Sequence, residues 1–559
     1  KTFAGLLRLV GLPPATEATE EVVRGIRRTP YPAADVARIR DAASRFNKVY
    51  GDSETAKRAE ALLQALERVD TVPREVDPAI LEQAVQRLRM DNPQVTELLF
   101  MHDVSAEGIE MDLSNNPELS NIAALERLPL TKLNLSKTKV VDLTALRMMP
   151  LRTLDLSGCP VDDIQILAGM PLEELNLSGC KVRTIRPLKG APLRVLNLSG
   201  NPVNVVTGLS DMPLVKLDLG SCPITDVRPL RPLPLEWLSL WKTRIVDLKA
   251  LKGMQLKWLM VAGTAVTDLS PLEGMPLESL VISGTGVSDL TPVKTLPLRE
   301  LVADHCGALA DLGPLGGMPL THLYFARTKV TDLSPLKGMP LKALNITGVA
   351  FADMSPLRGM STLEVLVWDR WDQMRIMAPV AQAVEAGRFD DAAQAALKLA
   401  GDMEGVPALV PAVNLLRVFA EKRIPDLKAA AAAPQNIRAL AKTFNGKDYA
   451  LGPRSADFDG AVAFSRSVGG TLASVASKEE MDWIIANFAL PGMPIRLGGT
   501  DAKKEGDWQW VGGAPWKFTA WMPVQPDNNR GTQHSLITFS DGKWDDIESG
   551  FACPFLVMW

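Results

Sequence analysis

The chain is 559 residues long, 46% hydrophobic and 23% charged, with a formal net charge of −4 and a pI near 5.8. That length exceeds what one compact core organises, so roughly two to four domains are expected. The charge supplies no basic field for nucleic acid or an anionic membrane. No apolar run reaches the roughly 18 residues of a spanning helix, and the best stretch, around Val406 to Ala420, is broken by Pro407 and Pro411, so no membrane insertion by this segment is expected.

The chain opens on Lys1 without the short apolar core of a signal peptide and reads as a fragment or trimmed form of something longer. Residues 1–94 read as helices that cap the region C-terminal to them. Val36, Ile39, Ala43, Phe46 and Val49 make one apolar stripe, and Ala59, Leu62, Leu66 and Val69 a second. Asp77-Pro78 is a cap and first-turn pair for a third helix carrying Leu81, Val85 and Leu88.

Residues 95–369 repeat. After an irregular unit over Val95 to Leu125, a proline or its stand-in recurs at Pro129, Pro150, Pro171, Pro192, Pro213, Pro234, Gln255, Pro276 and Pro297, a spacing of 21 residues. One longer step leads to Pro319, and the spacing returns at Pro340. Each unit reads roughly M-P-L-x-x-L-x-L-x-x-T-x-V-x-D-L-x-P-L-x-G. Self-similarity at this period means a solenoid whose units bury their apolar faces only on their neighbours. The L-x-x-L-x-L core resembles a leucine-rich repeat, and the unit as a whole resembles repeats of planctomycete-type bacteria and, more distantly, internalins. Such arrays are often fused to Ser/Thr kinases, which would place a kinase upstream of Lys1.

Cys159, Cys180, Cys222 and Cys306 fall in the slot that other units fill with Thr138, Asn201, Thr243, Thr264, Thr285 or Thr328, so they are expected to be buried structural thiols. Strand alternation sends the leucines inward and the residues between them onto the concave face. There Asn134, Asp155, Asn176 and Asn197 of the early units give way to Trp237, Trp241, Trp258, Met260, His322 and Tyr324. Exposed aromatics grouped this way are the material of interfaces. They are expected to bind a partner or, alternatively, to dock the chain's own C-terminal domain.

Residues 370–441 turn helical and alanine-rich, a spacer or cap in which Glu385 to Ala392 resembles one turn of a tetratricopeptide hairpin. Residues 442–559 are different again. Phe444 to Tyr449 reads as an opening strand, and Ser477-Lys478-Glu479-Glu480 as a capping box. Ile495 to Asp501, Trp508 to Gly513, Gln525-Pro526-Asp527, Trp544-Asp545-Asp546 and Cys553-Pro554-Phe555 come next. That order resembles the C-type lectin-like domain.

The resemblance implies calcium as cofactor, with metal and side chains jointly holding vicinal sugar hydroxyls. Gln525, Asp527, Gln533, Asp545 and Asp546 would be its ligands, with Gln525, Asp527 and Asp545 also contacting sugar. Gln533 stands where the family has a glutamate, and the Gln-Pro-Asp form is associated with galactose-type sugars. A second calcium site is half kept: Asp501 and Glu505 match, whereas Asn528 and His534 stand where acids are usual. The family's disulfides are mostly missing, since Ser465, Ser535 and Ser549 occupy cysteine positions. Formylglycine-generating enzymes share the fold, but their chemistry needs a reactive cysteine pair.

No phosphate loop, kinase loop, nucleophile elbow or paired histidines stand out. The expected fold class is multi-domain α+β: a leucine-rich repeat solenoid with helical flanks and a C-terminal C-type lectin-like fold. The expected function is non-enzymatic recognition of a glycan or protein ligand. The alternative is an intracellular scaffold or sensory arm of a larger signalling protein, with a purely structural lectin-like domain. Family resemblance points to the cell surface, and unpaired cysteines equally allow the cytoplasm.

Overall fold

The computed structural model describes residues 78–559 apart from 106, 107, 127, 148, 352 and 491. The stripes at Val36–Val49 and Ala59–Val69, and Asp77, lie outside the described residues. The chain divides into two compact units, Lys1–Val302 and Ala303–Trp559.

In the first unit, helix α1 (Pro78–Asp91) buries Leu81, Val85 and Leu88. Asn92, fully buried, ties the helix to the first turn: its Nδ2 donates to the carbonyls of Leu88 and Asn121, and its Oδ1 accepts from the amides of Ser120 and Asn121. A hairpin of β1 (Met101–Ser105) and β2 (Gly108–Asp112) comes next. From β2 the pairing is parallel, through β3 (Leu130–Asn134) and the three-residue strands β4 (Thr153–Asp155) to β11 (Glu300–Val302). Each strand is followed by a short 3-10 turn, such as Ser270–Leu272. The recurring aspartate starts that turn: Asp268 Oδ1 accepts from Ser270 N at 2.8 Å, and Asp142, Asp163, Asp226, Asp247 and Asp289 repeat the contact. The inward leucines, Leu133, Leu154, Leu217, Leu238 and Leu259 among them, are almost wholly buried.

The four repeat cysteines are buried, as expected. Three of them do not bond as the threonines do. Thr243, Thr264 and Thr285 donate to a carbonyl three residues back in their own turn, whereas Cys159, Cys180 and Cys222 reach the preceding turn at Leu135, Leu156 and Leu198. The larger sulfur spans the gap between turns, and Asn201 bonds both carbonyls at once. Burial pushes the Cys180 thiol up to about 12 and that of Cys222 to about 11.

The second unit continues the one-strand-per-turn pattern in β12 (His322–Tyr324), β13 (Ala343–Asn345) and β14 (Val365–Val367). Asp369 then caps α2 (Arg370–Glu385) in a capping box with Asp372. Through Gly387, α2 connects to α3 (Phe389–Asp402), followed by α4 (Val410–Val418) and α5 (Ile424–Ala432).

Two four-stranded sheets complete the unit. The expected opening strand is a hairpin instead: β15 (Lys442–Phe444) and β16 (Lys447–Leu451) flank Asn445-Gly446, both in the left-handed region, which is the tight-turn geometry that Asn-Gly favours. Next come α6 (Phe458–Ser467), β17 (Thr471–Leu472), α7 (Lys478–Phe488) and β18 (Ile495–Thr500). The last strands are β19 (Gln509–Trp510), β20 (Gln533–Thr538), β21 (Trp544–Glu548) and β22 (Leu556–Met558). The sheet orders are β15-β16-β22-β17 and β19-β18-β20-β21, so β22 at the end of the domain closes on β16 at its start.

The expected capping box at Ser477 is half formed. Ser477 Oγ accepts from Glu480 N, but the Glu480 carboxylate passes the cap and accepts from Ala476 N, Lys447 Nζ and Tyr449 Oη. Trp544, fully buried, meets Trp510, Phe518 and Trp521 edge to face. Ser535 stands at one of the positions that the resemblance gave to a cysteine, and there the wholly buried Arg496 ties the strands. It donates to Ser535 Oγ at 2.5 Å and to the Phe551 carbonyl, and it lies over the Phe458 ring.

Candidate functional site

On the concave face of the first unit, the polar positions of the early turns turn out to be structural. Asn134, Asp155, Asn176, Asn197 and Asp218 each accept from the backbone amide two residues on, and Asn134 and Asn176 also donate to Asp112 and Asp155 of the turn before. Short polar side chains at strand ends close such turns readily. From β8 (Trp237–Ser239) the pattern changes. Trp237 and Trp258 stack with centroids 4.2 Å apart at 4°, half-buried. Lys216 Nζ sits 4.6 Å from the Trp237 centroid, and Lys242 Nζ 5.0 Å from that of Trp241. Beneath this ridge the outward-facing Ser239 is only 1% exposed. Trp241 is seated against Gly220, which replaces the serines Ser136, Ser157, Ser178 and Ser199 of earlier turns. Met260 is half-buried beside the ridge on β9 (Trp258–Met260). In the second unit, His322 and Tyr324 are half-buried with ring centroids 6.5 Å apart, and His322 Nδ1 shares a 2.9 Å hydrogen bond with Thr321 Oγ1.

The lectin-like residues gather on the loop before β20 and on β21. Asp546 is 1% exposed, and its two oxygens accept from the backbone amides of Asp527, at 3.2 Å, and Asn528, at 2.8 Å. Gln533 Oε1 accepts from Asn529 N at 2.6 Å, and Gln533 N donates to Asn528 Oδ1. Both side chains therefore brace the loop from inside. Asp527 is exposed and Asp545 half-buried. Gln525 Oε1 is buried and accepts no hydrogen bond from any described residue. An unbonded buried amide oxygen is costly, and an oxygen-seeking cation is the kind of group that would relieve it. On that observation Gln525 fits calcium, and the carboxylates of Asp527 and Asp545 are donors of the class calcium takes. Val524, beside Gln525, is 89% exposed and left-handed at φ 67°, a conformation disfavoured for a β-branched residue.

The residues of the second expected site divide. Asp501 and Glu505 come together, but the third member is His534, read from the sequence only as a departure. Its Nδ1 lies 3.1 Å from Asp501 Oδ1 and 3.7 Å from Glu505 Oε2. Asn528 instead acts as a strut, donating from Nδ2 to Glu505 and accepting at Oδ1 from Gln533 N. Sequence reasoning also missed the roles of Gly220, Arg496 and Glu480, each defined by a partner elsewhere in the chain.

The family model described as the lectin C-type domain matches residues 454–556. The galactose-specific lectin nattectin of Thalassophryne nattereri is 30% identical over 107 residues, covering 18% of this chain and 67% of that protein. Through this domain the chain belongs to the C-type lectin family. Human C-type lectin domain family 17, member A is 28% identical over 104 residues, and the match spans only 27% of that protein's length. An internalin from Listeria monocytogenes superposes with a TM-score of 0.42 at 21% identity, covering 53% of this chain and 98% of that one.

Proposed function

We propose that this is a non-enzymatic recognition protein whose C-type lectin domain binds a glycan with calcium, while the concave solenoid face binds a protein partner. In this reading the domains are a helical cap over 1–94, the solenoid over 95–369, a helical spacer over 370–441 and the lectin domain over 442–559. Gln525, Asp527 and Asp545 hold calcium and sugar hydroxyls; Gln533 and Asp546 hold the loop that presents them. The orphaned, buried Gln525 Oε1 carries the proposal. The galactose specificity in nattectin's name and the Gln525-Pro526-Asp527 run together support a galactose-type ligand. Trp237, Trp241, Trp258 and Met260 are the partner-binding residues of the first unit, and His322 and Tyr324 those of the second.

The test is calorimetry and thermal unfolding with calcium, with and without galactose. A ligand that binds only the folded state at a hundredfold excess over its Kd stabilises by about 2.7 kcal/mol. Asp527→Ala removes that stabilisation and the sugar binding. Absence of heat and of a thermal shift at millimolar calcium would leave the lectin domain a purely structural part of a scaffold.

A further inference from the structure

The family's second calcium site does not fit calcium in this chain. Calcium takes six to eight oxygens from carboxylates, carbonyls and waters. Here two carboxylates face an imidazole nitrogen, and Asp501, Glu505 and His534 each offer one ligand atom within 4.8 Å of the others. The remaining expected oxygen, Asn528 Oδ1, already accepts the Gln533 amide.

We propose that Asp501, Glu505 and His534 form a site for a divalent transition metal of the zinc class, held by one imidazole nitrogen and two carboxylates. Imidazole suits zinc, copper, iron and nickel, whereas all-oxygen sets suit calcium and magnesium. Tetrahedral zinc with bonds of about 2.0–2.1 Å holds its donors roughly 3.3 Å apart. That value lies between the 3.1 Å and 3.7 Å separating His534 Nδ1 from the two carboxylate oxygens. The scaffold is firm: the Asp501 side chain is 1% exposed, and its second oxygen accepts from Gly506 N at 2.9 Å. The His534 carbonyl accepts from Thr500 Oγ1 at 2.7 Å, fixing β20 to the end of β18. This site goes beyond the calcium–sugar reading and does not rest on it.

The experiment titrates the full chain, stripped of metal by a chelator, with zinc chloride and separately with calcium chloride, using cobalt(II) as a visible-light probe. One equivalent of zinc is expected, together with cobalt absorption bands of low coordination number and a rise in melting temperature. Losing a group that merely supports a metal ligand weakens affinity about 10–100-fold, so His534→Gln, which removes a ligand, should weaken zinc at least about 100-fold. His534 is 31% exposed, so the fold tolerates that change. His534→Asp should exchange zinc uptake for calcium uptake. Asp527→Ala should leave zinc uptake unchanged, which separates this site from the proposed sugar site. Zinc uptake that is absent, or equal in wild type and His534→Gln, overturns the proposal and leaves His534 as a hydrogen-bond partner of Asp501.

Discussion

Replacing Gly220 with alanine tests how Trp241 is seated on the concave face. A Cβ at Gly220 would lie 1.9 Å from Trp241 Nε1 and 2.1 Å from Trp241 Cδ1, against about 3.5–4.0 Å for an unstrained contact. The backbone itself accepts a side chain there, since Ser136, Ser157, Ser178 and Ser199 fill the same slot and the Gly220 φ is not left-handed. Only the indole forbids it. Gly220→Ala must therefore push Trp241 outward by roughly 2 Å, and overpacking of this kind costs about 1–3 kcal/mol. In a Trp241→Ala background the obstacle is gone, and the added methyl stabilises by about 0.4–1 kcal/mol by restricting the unfolded chain. The sign of the effect reverses, giving a coupling of roughly 1.5–4 kcal/mol between the two positions. The assay is a four-member cycle of urea unfolding followed by far-ultraviolet circular dichroism. Equal changes in both backgrounds would refute the packing described.

Four further outcomes are expected. Cys159, Cys180, Cys222 and Cys306 should resist thiol reagents until denaturant is added, because burial and raised thiol pKa values of Cys159, Cys180 and Cys222 both oppose the thiolate; rapid native labelling of several would overturn the repeat register. Gly284→Ala meets nothing closer than 3.8 Å yet sits at φ +67°, so it should cost about 1–2 kcal/mol from backbone strain alone, read as a shift in unfolding midpoint. Trp237→Ala with Trp258→Ala should keep the fold, removing a stack worth about 0.5–1.5 kcal/mol while abolishing partner binding; global unfolding would instead make both residues core. Burial pushes the Glu480 carboxyl up, but Lys447, Tyr449 and the Ala476 amide outweigh it and hold it below the usual range. Its contribution is thus present above the unfolded carboxylate value, about 4.3, and is lost as pH falls through the lower folded value. Glu480→Gln should flatten the acid limb of the stability profile, and an unchanged limb would remove Glu480 from the balance.

One physical rule separates the features legible in the sequence from those that were not. Features set by neighbours along the chain or by the repeat could be read directly: the inward leucines, the thiol slot, the apolar face of α1 and the ordered lectin motifs all rest on local periodicity or spacing. The hairpin at Asn445-Gly446 was also local and its signal was present, but reading Phe444 to Tyr449 as one strand passed over two residues that favour positive φ. Features set by long-range closure were not legible. Glu480 looked like half of a helix cap because the box pattern was complete, yet its carboxylate is claimed by Lys447 and Tyr449, more than thirty residues earlier. Arg496 lies inside the Ile495–Asp501 run, but nothing local marks its role, and only the pairing of β18 with β20 brings it to Ser535.

The same rule explains the lectin site. The motifs named Gln525, Asp527, Asp545 and Asp546, but a residue type does not say whether its oxygens serve a ligand or the backbone. Asp546, on β21, is braced by two amides of the loop before β20, so Asp546→Asn should loosen the loop and weaken calcium even where direct ligands are intact. Asp527 is exposed and makes a single long loop contact, its Oδ1 accepting from Asn529 N at 3.2 Å, so its loss should remove calcium binding while disturbing the Asp527 and Asn528 amides less. Comparing hydrogen exchange of Asp527 and Asn528 in the two variants separates these roles. Faster exchange in Asp546→Asn alone is the expected result, and equal exchange in both would return Asp546 to the position of a simple ligand.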